Sequence, residues 1–220
     1  MFTGCTAPRP RPPGASVTLR GTVRDLRDTH PDMELPVFGV DRGIVLPTLG
    51  ADRTPVYASA TTTPSTRGGR AFAQWFHDAP GVNLARPIEL TLRRESDSLT
   101  YSLDDLEFFP IDGQLLGNEG RAHNYHFTLE VHGEFTYRGG EVFTFAGDDD
   151  LWAFLAGRLV IDLGGVHSRE SETVRLDTFA PVLGLTRGNV YALDLFFAER
   201  HTTGSTLRIA TTIASFDACR

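Results

Sequence analysis

The stretch GDDDLWAFLAGRLVIDLGGVH, residues 147–167, sets Asp148, Asp149 and Asp150 side by side between two apolar runs and closes on Gly164, Gly165 and His167. Adjacent carboxylates repel one another, so unless they only face water they need a cation, a set of hydrogen-bond donors or a raised pKa. Phe143 and Phe145 alternate with Val142 and Thr144 as in a strand, and 151–155 with 158–162 reads as a hairpin turning at Ala156-Gly157. Counted outward from that turn, Leu155 faces Arg158 and Leu151 faces Asp162. The three aspartates then share one end of the hairpin with Asp162, Gly164 and His167. Several carboxylates beside loop carbonyls form the all-oxygen set that a hard cation such as Ca²⁺ takes.

Two other stretches carry polar side chains in suggestive order. In HNYHFTLEVH, residues 123–132, His126, Glu130 and His132 share one face of a strand, a pattern that polar sheet-face packing explains better than a metal. In FFPIDGQLLGNEG, Asp112, Asn118 and Glu119 sit among glycines without the ligand spacing of an EF-hand loop, leaving a second cation site or a turn series as alternatives. No G-x-S-x-G, H-E-x-x-H or P-loop is present, and no carboxylate pair stands out as a glycosidase acid and base. The expectation is a protein that is not an enzyme.

The elements that must position these residues read as mostly β. Phe accounts for 15 of 220 residues, and from about residue 87 short alternating runs recur between turns at the spacing of a sandwich or barrel. Ordered structure is expected to begin at Ser16, after a proline-rich segment 1–15, and to continue as a single domain 16–220. Residues 27–69, broken repeatedly by Pro and Gly, are too long for an idle loop and read as an irregular insertion or part of a binding surface. The one helix candidate is 69–81, where Phe72, Trp75 and Phe76 share a face as core anchors. Cys5 and Cys219, near the two ends, suggest a disulfide closing the domain in an oxidising compartment. A net charge of −7 disfavours nucleic acid and anionic membrane surfaces, and no apolar run approaches the roughly 20 residues of a membrane span, so no membrane insertion is expected. No signal peptide is visible at the start, which looks trimmed or processed.

The Asp-Asp-x-Leu-Trp hairpin followed by Asp-Leu-Gly-Gly-Val-His, with LDLFFAERHTTGSTLRI and TVRDLRDTHPDME, resembles the fibro-slime domain, which is similar to the PA14 domains of adhesins, toxins and glycosidases. The resemblance spans about residues 16–215. It implies an all-β, PA14-like antiparallel β-sandwich, here with the long irregular insertion and one short helix. In the lectin members an Asp-Asp pair joined by a cis peptide bond holds Ca²⁺, which chelates sugar hydroxyls; carried over, the pair is Asp148-Asp149, and Asp150 is dispensable. The late loop that supplies Asn or Asp in those members is here AERHTTGST, so Glu199, His201, Thr202 or backbone carbonyls stand in, or Asp162 and the Gly164-Gly165 turn complete the shell. His167, Glu199, His201 and the insertion are then the candidates for contacting a glycan. The function implied is a calcium-dependent, carbohydrate-binding adhesin or lectin module of a secreted or cell-surface protein. The alternatives are an extracellular matrix module with a purely stabilising ion, and a carbohydrate-active enzyme or its accessory domain.

Overall fold

The computed structural model describes residues 14–96, 98–202 and 204–218, so the proposed Cys5–Cys219 disulfide lies outside the described residues. The strands are β1 (Ser16–Leu26), β2 (Asn83–Arg94), β3 (Tyr101–Asp105), β4 (Phe127–Thr136), β5 (Val142–Asp148), β6 (Asp150–Leu155), β7 (Arg158–Leu163), β8 (Glu170–Arg175), β9 (Val190–Glu199), β10 (Thr206–Thr211) and β11 (Asp217–Ala218). Their antiparallel pairing follows one path, β7-β6-β9-β4-β1-β2-β3-β10-β5-β8, with β11 added to β4. Only Arg93↔Ser102 and Arg94↔Tyr101 join β2 to β3. There the path folds over, and the six strands from β7 to β2 pack on the four from β3 to β8 as a β-sandwich.

Period-two alternation explains the core. Phe127, Leu129 and Val131 of β4, Phe143 and Phe145 of β5, Leu151, Ala153 and Leu155 of β6, Leu193, Leu195 and Phe197 of β9, and Leu207 and Ile209 of β10 all point between the layers and belong to one buried cluster. The intervening residues of β6 and β9 are apolar as well, because Trp152, Phe154 and Phe196 face outward against Ile44, Val45, Phe72, Trp75 and Phe76. The long insertion is therefore a third layer over the outer face. Phe72, Trp75 and Phe76 are core anchors as expected, but the helix that carries them, α1 (Gly69–Phe72), is only 4 residues long. Trp75 and Phe76 lie on the turn beyond it. A second helix, α2 (Leu176–Leu183), follows β8, with Pro181 inside it. The alternation in SETVRLD had masked its start.

The expected hairpin differs by one step of register. Ala156 and Gly157 form the turn, both at positive φ (50° and 73°), and Leu155 does pair with Arg158. A bulge between Ala153 and Phe154 then shifts the pairing, so Leu163 rather than Asp162 lies opposite Leu151, and Asp162 pairs with Trp152. A one-residue slip exchanges the faces of a strand, which turns Asp162 outward.

Polar groups bolt the insertion to the sheet. Arg24 of β1 donates from Nε to Asp78 at 3.0 Å and from Nη1 to Glu130 at 2.7 Å. His132 Nε2 stands 3.7 Å from Glu130, its Nδ1 bonds Asp194 at 2.8 Å, and Asp194 also takes Arg53 from the insertion. His132 and Glu130 thus form an ion pair on the sheet face, in line with the packing role read from the sequence. Burial works against a charged His132, but its bonds to Asp194 and Glu130 outweigh that and lift it to about 9. A histidine whose folded pKa lies above its unfolded value of 6.5 stabilises fully below about pH 6.5, and that stabilisation is lost as pH climbs through about 9. The thermal midpoint is therefore expected to fall between pH 7 and pH 9.5 more steeply in the native chain than in His132→Gln. Parallel profiles for the two proteins would exclude this ion pair as the source.

Candidate functional site

The three aspartates lie where the chain crosses from one layer to the other. Asp148 ends β5 and pairs with Thr206 of β10, whereas Asp150 opens β6 and pairs with Ala198 of β9. The β9–β10 connection, residues 199–206, makes the reverse crossing directly alongside. Two crossovers side by side bring Glu199 and the following loop onto the aspartates, although about 50 residues separate them. Gly147 allows the approach, since a Cβ there would stand 2.4 Å from the Thr206 carbonyl oxygen.

Each aspartate has its own set of donors. Asp148 Oδ1 accepts from Thr206 N and Oγ1, both at 2.6 Å, while a Cβ on Gly204 would lie 4.0 Å from Oδ2. The Asp148-Asp149 peptide bond is cis. Asp149, 4% exposed, accepts from His167 N at Oδ1 and from Arg200 N at Oδ2, both at 3.1 Å. Asp150, fully buried, accepts from Gly165 N at Oδ1 and from Arg200 Nε at Oδ2, both at 2.6 Å. Gly165 has φ +117 and packs on Gly39, so a side chain there would collide with the backbone that holds it.

Arg200, also fully buried, extends the network into the insertion. Its Nη1 donates to the carbonyls of Asp32 (3.0 Å) and Ser65 (2.6 Å), and its guanidinium lies 4.7 Å from the centre of the Trp75 ring. Asp32 in turn accepts from Arg67 N and Trp75 Nε1. Asp150 is thus not dispensable: it is the counter-charge of a buried guanidinium, and a carboxylate here without Arg200 would be stranded.

Glu199 is the remaining acid of the group. It is 1% exposed, its Oε1 accepts only a long 3.3 Å bond from His201 N, and its Oε2 has no hydrogen-bond partner among the described residues. Ser205 is near enough to ease the Glu199 charge, yet its hydroxyl stays outside bonding geometry. Burial first, then the charges of Asp149 and Asp148, push the Glu199 carboxyl well above its usual range. Burial likewise lifts Asp149 to about 7, with Arg200 opposing and Asp150 adding to the rise. Burial is the largest cause for both, so each carboxyl favours its neutral form unless a positive charge approaches.

The other sequence-derived candidates are distributed differently. Asp162 is spent on Trp152 Nε1 (3.0 Å) and Gly43 N (2.9 Å), and the Gly164 carbonyl on Asp41 N (2.5 Å), so neither faces the aspartate pair. His167 supplies its backbone amide, while its ring nitrogens face the carbonyls of Ser168 and Leu163. His201 Nδ1 bonds the Thr202 carbonyl, and Thr202 binds the Glu34 carboxylate through N (3.3 Å) and Oγ1 (3.2 Å). The proposed second site is not assembled. Asp112 holds His123 and Asn124 N, Asn118 bridges Gly113 N and the Ala122 carbonyl, and Glu119 accepts from Asp28 N beside His126. Among the described residues no group of three or more His, Cys, Asp or Glu side chains is placed to hold a metal ion. Arg200, Asp32 and Glu34 escaped the sequence reading, since nothing in AERH or in PDME marks a buried ionic contact across the fold.

A family model of the PA14 domain matches residues 104–217, just over half of the chain, and the chain belongs to this family of binding modules. Among curated relatives it is similar to protein psiD of Dictyostelium discoideum, 44% identical over 93% of this chain and 44% of psiD. Protein psiC of the same organism is 40% identical over 93% of this chain and 43% of its own length, so the chain spans less than half of either relative. Among solved structures it is similar to the PA14 domain of the MpAFP antifreeze protein, at TM-score 0.41 and 8% identity over 93% of this chain and 87% of that one. A PA14 sugar-binding domain from an RTX adhesin gives TM-score 0.34 and 12% identity over 56% of this chain and 77% of that one. No helix among the described residues is long and apolar enough to cross a membrane.

Arg200→Met is expected to destabilise the domain by about 3–5 kcal/mol, because it leaves Asp150 buried and unpaired. Adding Asp150→Leu should recover most of that loss in a urea unfolding midpoint. A double variant no more stable than the single one would rule out the ion pair as the source.

Proposed function

We propose that the chain is a calcium-dependent carbohydrate-binding module that serves adhesion at an extracellular or cell surface. The observation that carries this reading is the unpartnered, buried Oε2 of Glu199 beside the Asp148-Asp149 pair. A carboxylate in that position lowers its energy by gaining a cation, and oxygen ligands alone suit a hard one. Two aspartates and Glu199 do not complete a calcium shell of six to eight oxygens, so carbonyls of the 199–206 connection and water would supply the rest. Asp150 and Asp162 stay outside that shell because both are fully engaged elsewhere. Water-filled positions over Asp148, the less buried of the pair, are where vicinal sugar hydroxyls would enter.

The enclosure of Asp149 and Glu199 favours a second reading, in which the ion only ties the two crossovers together and no glycan binds. In that case the module is a structural part of an extracellular matrix.

Thermal unfolding in chelator, in Ca²⁺, and in Ca²⁺ with a glycan panel separates these readings. At about a hundredfold excess over the dissociation constant, Ca²⁺ is expected to raise the midpoint by roughly 5–10 °C over chelator. Asp149→Asn and Glu199→Gln should each remove that rise. An unmoved midpoint in the native chain would end the calcium reading. A calcium rise to which no glycan adds would leave the structural one.

A further inference from the structure

Resting on that reading, we infer that the exposed segment Pro36-Val37-Phe38 is the apolar half of the glycan site, with Phe38 as a platform for the C–H face of a pyranose held at Asp148-Asp149. The segment is a strap pinned at both ends to the residues that clamp Asp149. At one end Glu34 N donates to the Arg200 carbonyl (2.8 Å), and Arg200 N is one of the two amides on Asp149. At the other end Phe38 N and Gly39 N both donate to the Val166 carbonyl (3.1 and 3.0 Å), and the next residue, His167, supplies the second amide. Glu34 is tied down further by the two bonds from Thr202 and by His126 Nε2 at 2.7 Å. Met33 and Leu35, 4% and 8% exposed, anchor the near end. The strap is therefore fastened at both ends to the backbone segments whose amides hold Asp149.

Its middle does the opposite of what a core-seeking sequence does. Val37 is 64% exposed and Phe38 61%, and Phe38 is the one aromatic side chain among the exposed large hydrophobics of the described residues. The other described phenylalanines are buried or half-buried. A lone aromatic left in water, on a backbone braced against the segments that clamp Asp149, supplies what carboxylates lack. A pyranose is amphipathic: its hydroxyl edge suits a cation, and its C–H face suits the electron-rich face of an aromatic ring. Ligand sites commonly join a few convergent polar groups to an apolar or aromatic wall, and the strap is such a wall beside the polar pair. A rigid aromatic ordered before binding also loses little side-chain freedom when the sugar arrives.

The test is calorimetric titration of the calcium-loaded chain with a glycan that it binds, for the native protein, Phe38→Ala and Phe38→Trp. The rise in thermal midpoint on adding Ca²⁺ is measured for each. Phe38→Ala is expected to keep the full calcium response while weakening the glycan about tenfold or more, and Phe38→Trp to retain binding. Glycan affinity within about twofold of native in Phe38→Ala overturns the platform and leaves the calcium-lectin reading intact. A native chain that responds to Ca²⁺ but binds no glycan overturns both, and is recognised without any variant. Loss of self-association in Phe38→Ala with unchanged glycan affinity would assign the strap to a protein contact and overturn the inference.

Discussion

One buried ion pair organises this domain. Arg200 and Asp150 are both closed off from water, and a guanidinium inside a protein is tolerable only when its charge and its donors are answered. Asp150, at the start of β6, answers the charge. The carbonyls of Asp32 and Ser65, far apart within the insertion, answer Nη1, while Nη2 has no hydrogen-bond partner among the described residues. A single side chain at the end of β9 thereby registers the sheet against its covering layer and fixes the backbone amide that binds Asp149.

The same constraint explains why the insertion behaves as structure rather than decoration. The outer faces of β6 and β9 carry Trp152, Phe154 and Phe196, which would be an exposed aromatic patch on a two-layer sandwich. The insertion and the helical segment after it cover them with Ile44, Val45, Phe72, Trp75 and Phe76, and the chain of charges from Asp78 through Arg24, Glu130, His132 and Asp194 to Arg53 holds the rim of that layer. With that layer in place, Phe38 is the one aromatic among the exposed large hydrophobics of the described residues.

The three neighbouring aspartates have three different roles, set by which way each faces. Asp148 closes the β5–β10 pairing through Thr206, Asp149 is gripped by two amides, and Asp150 neutralises Arg200. The repulsion that makes the triplet conspicuous is relieved for Asp150 by an internal cation. Asp149 and Glu199 are held above their ordinary range by burial first, with the charge of Asp150 adding at Asp149 and the charges of Asp149 and Asp148 adding at Glu199. The result is a cluster of carboxylates fixed by backbone donors at the two crossovers.

Period-two alternation from β2 to β10 made the sandwich legible in the sequence, and the triple aspartate before a Gly-ended turn marked the buried carboxylate cluster. The helical face of Phe72, Trp75 and Phe76 announced a packing role but not the length of its helix. The bulge between Ala153 and Phe154 is invisible in the sequence, because an extra residue in one strand leaves alternation on either side of it intact, and so counting from the turn sets Asp162 opposite Leu151 rather than Trp152. Helix α2 was hidden by a strand-like run at its start and by Pro181 within it. Local pattern thus determined the strands, the core and the position of the carboxylates. Only the tertiary structure decided their partners, because Arg200 and Glu199 come to the aspartates through the second crossover, and Glu34 comes to Arg200 through a folded-back insertion. Contacts between residues so far apart in the chain leave no periodicity to read.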